Sequence, residues 1–259
     1  MTYCTAIATN NGLVFCSDSR TNAGPDMLSS YSKMHVFTPT RDRLFVVLTA
    51  GNLATTQSII ARLESDLEDA EPTNLSSCTR MIDVVKYVAK VSRDEQAAAQ
   101  ASTAASKVDT SASLIIGGQI KGAPAAIYMI YSAGNFITDS DETPFLQIGE
   151  SKYGRPILDR IITRETGLED AVRCALVSMD STIKSNATVG PPIEVLVYEQ
   201  NSFESNHYLR LEETDEYLLE LRQKWNEALK LAFSELPPVE WEKRSSGAQV
   251  HQLIRNDKQ

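Results

Sequence analysis

Residues 2–18 read TYCTAIATNNGLVFCSD, and this stretch predicts a β-hairpin. β-Favouring residues alternate up to Ala8, the sequence Asn10-Asn11-Gly12 supplies turn chemistry, and an apolar run then resumes the strand up to Asp18. A hairpin returns the chain to the edge from which it started. We therefore expect the carboxylate of Asp18 to lie beside Thr2.

Outward from this hairpin, strand-like and helix-like patterns alternate in blocks. A loop at 21–26 is followed by strands at 32–38 and 43–49, helices at 59–67 and 81–105, strands at 113–118, 125–131 and 145–148, helices at 157–162 and 168–183, and strands at 193–198 and 207–211. The three strands after the first helix pair are expected to form a second sheet. Two sheets with facing apolar sides, each covered by a helix pair, predict the α+β class and a four-layer α/β/β/α sandwich.

This sandwich accounts for residues 2–211 as one domain. Residues 212–236 predict a charged amphipathic helix appended to the domain, with apolar side chains such as Trp225 and Phe233 on one side. Residues 237–259 open with two prolines and are polar, so we expect a tail.

The composition excludes several classes of partner. The 259 residues include 25 basic and 34 acidic side chains and carry a formal net charge of −9, so no nucleic-acid partner is expected. No secretory signal is visible, and no apolar run approaches the roughly 18 residues that span a bilayer. We therefore expect a cytoplasmic protein without membrane contact. Its four cysteines lie far apart in the sequence and are expected to be reduced core residues.

Several kinds of catalytic site are also excluded. The chain has only three histidines, and none belongs to a serine-hydrolase elbow, a zinc-protease helix or a phosphate-binding loop. Neither a metal nor a cofactor is expected.

The start of the chain offers a different nucleophile. Removal of Met1 would leave Thr2 with a free α-amino group beside its own hydroxyl. The α-amine has a reference pKa of about 7.7–8.0 and can accept the hydroxyl proton at neutral pH. No propeptide precedes Thr2, so removal of one methionine is expected to suffice, whereas a retained Met1 would leave the amine acylated and the protein inactive.

Three further residues fit this chemistry. Lys33 lies in a stretch expected to be partly buried, where it needs an acidic partner, and Asp18 is the sensible one. Gly51 stands between a strand and a helix, where its N–H is a candidate oxyanion donor. Taken singly, a solvated Asp18, a solvated Lys33 and a glycine required only by a tight turn are each the simpler interpretation.

Together these elements resemble proteasome β-type subunits of the N-terminal-nucleophile hydrolase superfamily. The resemblance is carried by Thr2, the run from Asp18 to Gly24, Lys33 and Thr49-Ala50-Gly51 before a helix. With the stretches 49–57 and 148–154 and the long carboxyl-terminal helix, the chain looks most like Anbu, the bacterial ancestral β-subunit branch. The resemblance covers residues 2 to about 235 and implies the sandwich fold inferred above.

The resemblance implies a role for each matching residue. Thr2 would be the nucleophile and its α-amine the general base, Lys33 would promote proton loss, and Asp18 would hold Lys33 charged and in place. The N–H of Gly51 would bind the oxyanion of an amide hydrolysis. Three residues that lie close along the chain to these catalytic groups are candidates for the pocket that accepts the residue before the scissile bond, namely Thr21, Met34 and Thr49.

The chain departs from ordinary proteasome subunits at three places. The interval from Asp18 to Lys33 is one residue shorter than in ordinary proteasome subunits. Where a Gly-Ser-Gly turn normally supports the amino terminus, this chain has Gly149-Glu150-Ser151, so either Ser151 takes the role of that serine or Glu150 pairs with the α-amine. An expected Asp-x-x-Ser-Gly-Gly loop is replaced by residues 185–191, in which Asn186 and Thr188 are alternative supports.

Three functions stay open from the sequence. The first is a threonine peptidase or amidohydrolase acting on a peptide or protein within a self-assembled oligomer, ring or open spiral. The second is a scaffold or binding protein that keeps the fold and has lost efficient turnover, and the third is amide transfer to an acceptor other than water. The sequence identifies no unfoldase partner.

Overall fold

A computed structural model describes residues 1–22, 28–103, 105, 108–205 and 207–241. This part of the chain forms twelve strands: β1 (Tyr3–Thr9), β2 (Gly12–Asp18), β3 (Arg20–Asn22), β4 (Leu28–Ser30), β5 (Met34–Phe37), β6 (Arg43–Gly51), β7 (Ala112–Ile120), β8 (Ala126–Ile130), β9 (Phe136–Thr138), β10 (Phe145–Gly149), β11 (Ile193–Glu199) and β12 (His207–Leu211). It also forms five helices: α1 (Leu53–Glu68), α2 (Met81–Ser102), α3 (Arg155–Ile161), α4 (Leu168–Ser185) and α5 (Glu216–Ser234).

Two five-stranded antiparallel sheets form the centre of the fold. The first has the order β10-β1-β2-β11-β12 and the second the order β5-β6-β7-β8-β9. Apolar side chains of both sheets fill the space between them, among them Ala6, Phe15, Leu48, Ile115 and Leu196. Helices α1 and α2 pack on the second sheet, and α4 packs on the first beside α3. The predicted α+β class and four-layer sandwich are confirmed.

The chain divides into two compact units, Met1–Leu218 and Leu219–Gln259. The first contains both sheets and helices α1 to α4. In the described part of the second, α5 continues from the first unit to Ser234, and several of its large apolar side chains are exposed, namely Leu219, Leu229, Leu231 and Phe233. The domain bounds at 211 and 236 stay predictions.

Two predictions about the strands were wrong. A loop was expected at 21–26, but Thr21 and Asn22 belong to β3, which pairs with β4 as a small two-stranded sheet, with Arg20 opposite Ser30. The rest of that predicted loop, residues 23–26, lies outside the described residues. The strand at 145–148 was assigned to the second sheet, but β10 pairs with β1 in the first, with Cys4 opposite Ile148. Local composition indicates that a segment is extended and does not identify its partner. The short edge strand β9 was not predicted.

One predicted helix is shorter than expected, and some predicted segments lie outside the described residues. The second helix ends at Ser102 rather than Ala105. Ala23 and Gly24, which contributed to the family resemblance, lie outside the described residues, as does the polar tail from 242 onward.

The four cysteines are free and buried, as expected. No helix in the described ranges is both long and apolar enough to cross a bilayer.

Candidate active site

Thr2 directly precedes strand β1, which lies between β2 and β10 in the first sheet. β1 pairs with β2 on one side, where Cys4 faces Ser17, and with β10 on the other, where Tyr3 faces Gly149. This register places the end of β2, at Asp18, and the end of β10 on either side of Thr2. Thr2 is only 9% exposed, whereas Met1 before it is exposed.

Asp18 connects the start of the chain to Lys33. Its Oδ1 accepts a hydrogen bond from the backbone N–H of Tyr3 at 3.0 Å and another from Lys33 Nζ at 2.7 Å. Lys33 Nζ also donates to the carbonyl of Arg20 at 2.7 Å. Asp18 is 0% and Lys33 6% exposed, so this ion pair is held inside the protein rather than in solvent. Asp18 is thus the acidic partner of Lys33, as the sequence suggested.

Burial and the neighbouring charges shift the pKa values of Asp18 and of the Met1 amine, partly in opposing directions. Burial raises the pKa of Asp18, while Lys33 and the N–H groups of Tyr3 and Gly190 oppose the rise by stabilising the carboxylate. With Met1 in place, burial and then the charge of Lys33 lower the pKa of its α-amine, whereas Asp18 and Glu150 act to raise it. The structure thus places one ammonium and two carboxylates around the amino terminus.

Gly51 ends β6 immediately before α1, whose N-cap is Asn52. Its φ of +118° is a backbone conformation that favours glycine. A Cβ at this position would lie 2.9 Å from the Cα of Ala112 and collide with the carbonyl of Ser111. Both the backbone angle and the neighbouring strand therefore require glycine here.

The three candidate pocket residues lie on three different strands. Thr21 is half-buried in β3, opposite Ser29, whereas Met34 in β5 packs into the core between the sheets. Thr49 in β6 is buried, and its N–H donates to the carbonyl of Lys33 at 2.9 Å. Thr49 is thus connected directly to the backbone of Lys33.

The turn after β10 supports Thr2 through its backbone. The N–H of Glu150 donates to the carbonyl of Thr2 at 2.7 Å. The Glu150 side chain is buried and accepts a bond from Asn186 Nδ2 at 3.2 Å. Ser151 contributes backbone hydrogen bonds to this turn, and Thr188 bonds to Asn186. Of the four alternative supports, Glu150 is the one whose charge acts on the α-amine of Met1.

The described residues contain no cluster of three or more histidine, cysteine, aspartate or glutamate side chains able to hold a metal ion.

Comparisons with known proteins bear on this geometry. Residues 2–198 match the proteasome subunit family. The structure of Anbu from Yersinia bercovieri is 41% identical with a TM-score of 0.87, covering 92% of this chain and 99% of that one. A helical assembly of the Anbu complex from Pseudomonas aeruginosa contains a chain that is 45% identical with a TM-score of 0.86, covering 92% of this chain and 98% of that one. The chain belongs to the proteasome subunit family, in its Anbu branch.

A third Anbu structure, a Gly-1 mutant from Hyphomicrobium sp. strain MC1, is 37% identical with a TM-score of 0.85 and covers 93% of this chain and 100% of that one. No curated protein matches this chain.

In this Anbu-type chain, the altered loop at 185–191 still reaches the charged residues. The N–H of Gly190 donates to Asp18 Oδ2 at 3.3 Å. The loop also binds Arg20, whose guanidinium donates to the carbonyl of Ala187 at 3.0 Å and whose N–H donates to that of Gly190 at 3.3 Å. Asn186 joins the loop to Glu150. Backbone groups and an asparagine thus form these contacts in place of the expected motif.

Sequence reasoning missed two contributors to this region. The Gly190 N–H carries no signal in the sequence, because every residue except proline has one. Glu194 is different: it is a carboxylate within the apolar strand β11 and is only 2% exposed. A charged residue inside an apolar run is the signal that pointed to Lys33, and applied to β11 it would have selected Glu194.

Proposed function

We propose that this chain is a threonine-type N-terminal nucleophile hydrolase that cleaves amide bonds in peptides or proteins. The observation that carries the proposal is the position of Asp18 Oδ1. This one oxygen accepts hydrogen bonds from Lys33 Nζ and from the N–H of Tyr3, the residue bonded to Thr2. A buried ammonium is thereby anchored next to the start of the chain.

The mechanism requires removal of Met1, which frees the α-amine of Thr2. That amine takes the proton of the Thr2 hydroxyl, directly or through a water, as the oxygen attacks the substrate carbonyl. The N–H of Gly51 stabilises the oxyanion of the tetrahedral intermediate. The protonated amine then gives its proton to the leaving amine, and the acyl group remains as an ester on Thr2. Water attacks this ester, releases the acid and regenerates Thr2.

Electrostatics favour this division of roles. An amine acts as a base only in its neutral form. Burial and then the charge of Lys33 lower the pKa of the Met1 amine, and we expect Lys33 to act in the same direction on the amine of Thr2, because like charges repel. Asp18 holds the Lys33 ammonium in place through its hydrogen bond and its own negative charge. Glu150 acts to raise the pKa of the Met1 amine, and we expect its charge likewise to favour the ammonium form of the Thr2 amine that follows proton transfer. We assign Glu150 rather than Ser151 as the group that tunes the amine, with Ser151 supporting the turn.

The proposal includes a substrate pocket and an assembly. Thr21, Met34 and Thr49 are proposed to contact the residue before the scissile bond. A homo-oligomer is supported by the helical assembly of the Pseudomonas aeruginosa relative and by the exposed apolar side chains of α5. A cytoplasmic location is supported by four buried cysteines that are all free.

A scaffold with little hydrolysis is the second candidate. It is favoured by the altered turn at Glu150 and Ser151, where the supporting serine of ordinary subunits is shifted by one residue.

Intact-mass measurement separates the two candidates. The purified protein is incubated with a β-lactone or a peptide vinyl sulfone, with Thr2→Ala as the matched control. An adduct on Thr2 in the unsubstituted protein, and none in the variant, supports the hydrolase. Absence of any adduct at high reagent on a protein that has lost Met1 refutes the hydrolase and favours the scaffold. The same mass spectrum measures whether Met1 has been removed.

A further inference from the structure

Glu194 is a buried carboxylate held by three hydroxyl groups. Ser19 Oγ donates to its Oε2 at 3.1 Å, Ser32 Oγ donates to the same oxygen at 2.8 Å, and the hydroxyl of Tyr208 donates to Oε1. No lysine or arginine of the described ranges forms an ion pair with it. Arg210 stands opposite Glu194 on β12 and interacts with it through charge alone. A buried carboxylate whose hydrogen bonds come from neutral hydroxyls is costly for folding, and its neighbours Ile193 and Val195 on β11 are apolar.

Two of the three hydroxyls flank the proposed catalytic charges. Ser19 directly follows Asp18, and Ser32 directly precedes Lys33. One carboxylate therefore joins the two chain segments that carry the ion pair. The N–H of Tyr31 donates to the carbonyl of Ser19 at 2.9 Å and closes the same junction through the backbone.

Both acceptors of the Lys33 ammonium lie next to Ser19. Nζ donates to the side chain of Asp18, the residue before Ser19, and to the carbonyl of Arg20, the residue after it. On the other segment, Ser32 Oγ accepts a hydrogen bond from the backbone N–H of Met34 at 3.2 Å. Glu194 thus holds both sides of the contact that places Nζ.

We propose that Glu194 is a positioning residue that fixes the Lys33 ammonium beside the amino terminus by clamping Ser19 to Ser32. This inference rests on the proposed hydrolase function, and it explains how Lys33 reaches its place although the interval from Asp18 is one residue shorter than in ordinary subunits. Glu194 acts through these serines and touches neither Thr2 nor the substrate.

Tyr208 is the outer support of this clamp. It lies on the edge strand β12 and is 44% exposed, with its hydroxyl turned inward to Glu194. Burial and the hydrogen bond to Glu194 raise the pKa of Tyr208 to about 12, so the phenol stays protonated and continues to donate across the working pH range.

The test compares Glu194→Gln with Glu199→Gln, an exposed carboxylate on the same strand. The rate of covalent labelling of Thr2 by a β-lactone is measured from pH 5 to pH 9. We expect Glu194→Gln to lower the rate roughly 10- to 100-fold, because small misplacements of a catalytic group have effects of this size. The acid limb of the labelling profile, where the rate falls as the pH drops, should also move to higher pH. Lys33 acts to lower the pKa of the Met1 amine, and a displaced Lys33 would no longer act in this way on the amine of Thr2. Glu199→Gln should change neither quantity.

Loss of stability alone would not move the acid limb. If Glu194→Gln lowers the melting temperature but keeps the pH profile and a rate within twofold of the unsubstituted protein, the positioning role is overturned. Ser32→Ala provides a milder second variant should Glu194→Gln not fold. It removes one hydroxyl of the clamp and should shift the acid limb in the same direction, and an unshifted limb in a folded Ser32→Ala protein also overturns the proposal.

Hydrogen exchange separates this proposal from the hydrolase proposal. If the unsubstituted protein is not labelled at all, the hydrolase function fails, and the clamp is then judged by exchange at the amides of Tyr31 and Thr49. These N–H groups donate to the carbonyls of Ser19 and Lys33. Faster exchange at both in Glu194→Gln, and not in Glu199→Gln, supports the clamp, and equal exchange in the two variants overturns it.

Discussion

The two sides of Thr2 are built in different ways. On one side, which we call the charged side, Asp18 and Lys33 form a buried ion pair positioned by strands β2 and β5. On the other, the loop side, the turn at 149–151 and the loop at 186–190 reach the site through backbone groups, one asparagine and the charge of Glu150. The charged side retains the residues of the proteasome pattern, whereas the loop side has replaced them.

This difference indicates which contacts the chemistry requires. An ion pair inside a protein depends on two specific side chains, because removal of either leaves a charge without compensation. A backbone N–H can be supplied by many sequences that follow the same path. We therefore expect changes on the charged side to remove activity, and changes on the loop side to tune it.

Lys33→Met should have the largest effect of any single substitution around Thr2. It should reduce Thr2 labelling by about 100- to 1,000-fold, the range found when one electrostatic contribution to a transition state is lost. Because Asp18 stays buried without its cation, the free energy of unfolding should also fall by about 3–5 kcal/mol. Labelling kinetics and denaturant titration measure the two effects.

Lys152→Met is the matched control on the loop side. Lys152 is 70% exposed and lies 3.8 Å from Glu150, so its loss should change the labelling rate less than threefold. Equal losses of activity in the two lysine variants would contradict the distinction between the sides.

Gly51→Ala should have the second largest effect, because Gly51 is the proposed oxyanion donor and lies at the end of strand β6. Its positive φ alone corresponds to about 1–3 kcal/mol of strain for alanine, and the added Cβ also meets the neighbouring strand. We expect a lower melting temperature and a loss of labelling. Gly122→Ala separates the two causes, since Gly122 also has a positive φ but has open space around it. A similar melting temperature for both variants would show that the contact with Ser111 contributes little.

The sequence predicted the layers of this fold better than its strand partners. Apolar periodicity identified the helix pairs and most strands, because burial of one face leaves a repeating pattern. The pairing of β10 with β1 joins residues about 140 positions apart, and no local pattern records such a partner. The β3–β4 sheet was missed because its short strands have the polar composition of a loop.

The candidate site divides in the same way. Thr2, Asp18 and Lys33 could be found from the sequence alone. The hairpin predicts that Asp18 lies beside Thr2, and a partly buried lysine requires an acidic partner. Gly190 was not, because its contribution is a backbone N–H whose direction depends on the path of the loop. Glu194 was visible as a charge within an apolar strand, but its partners Ser19 and Ser32 lie more than 160 residues earlier in the chain.

Glu150→Gln should produce a smaller effect, a shift in pH dependence rather than a loss of activity. The negative charge of Glu150 acts to raise the pKa of the Met1 amine, and we expect the same sign for the amine of Thr2 once Met1 is removed. Its removal lowers that pKa, so more of the amine is a neutral base at mildly acidic pH, and the acid limb of the labelling profile should move to lower pH. The shift is opposite in sign to that expected for Glu194→Gln. Movement of the limb to higher pH would contradict the assignment of Glu150.

Gly190→Ala should have the smallest effect, although Gly190 bonds to Asp18. The bond is made by its backbone N–H, which alanine retains. The added Cβ would meet the guanidinium of Arg20, the far end of a flexible side chain that can move away. We expect a change in the free energy of unfolding of no more than about 1 kcal/mol and a nearly unchanged labelling rate.

Gly154→Ala gives the contrasting case for this prediction. Its Cβ would meet the buried hydroxyl of Tyr3 at 2.7 Å and the carbonyl of Ser178 at 2.9 Å, neither of which can leave easily. It should therefore destabilise the protein more than Gly190→Ala does. A loss of labelling in Gly190→Ala as large as that in Lys33→Met would show that the loop side fixes the charges as strictly as the strands do, and the distinction between the two sides would then have to be abandoned.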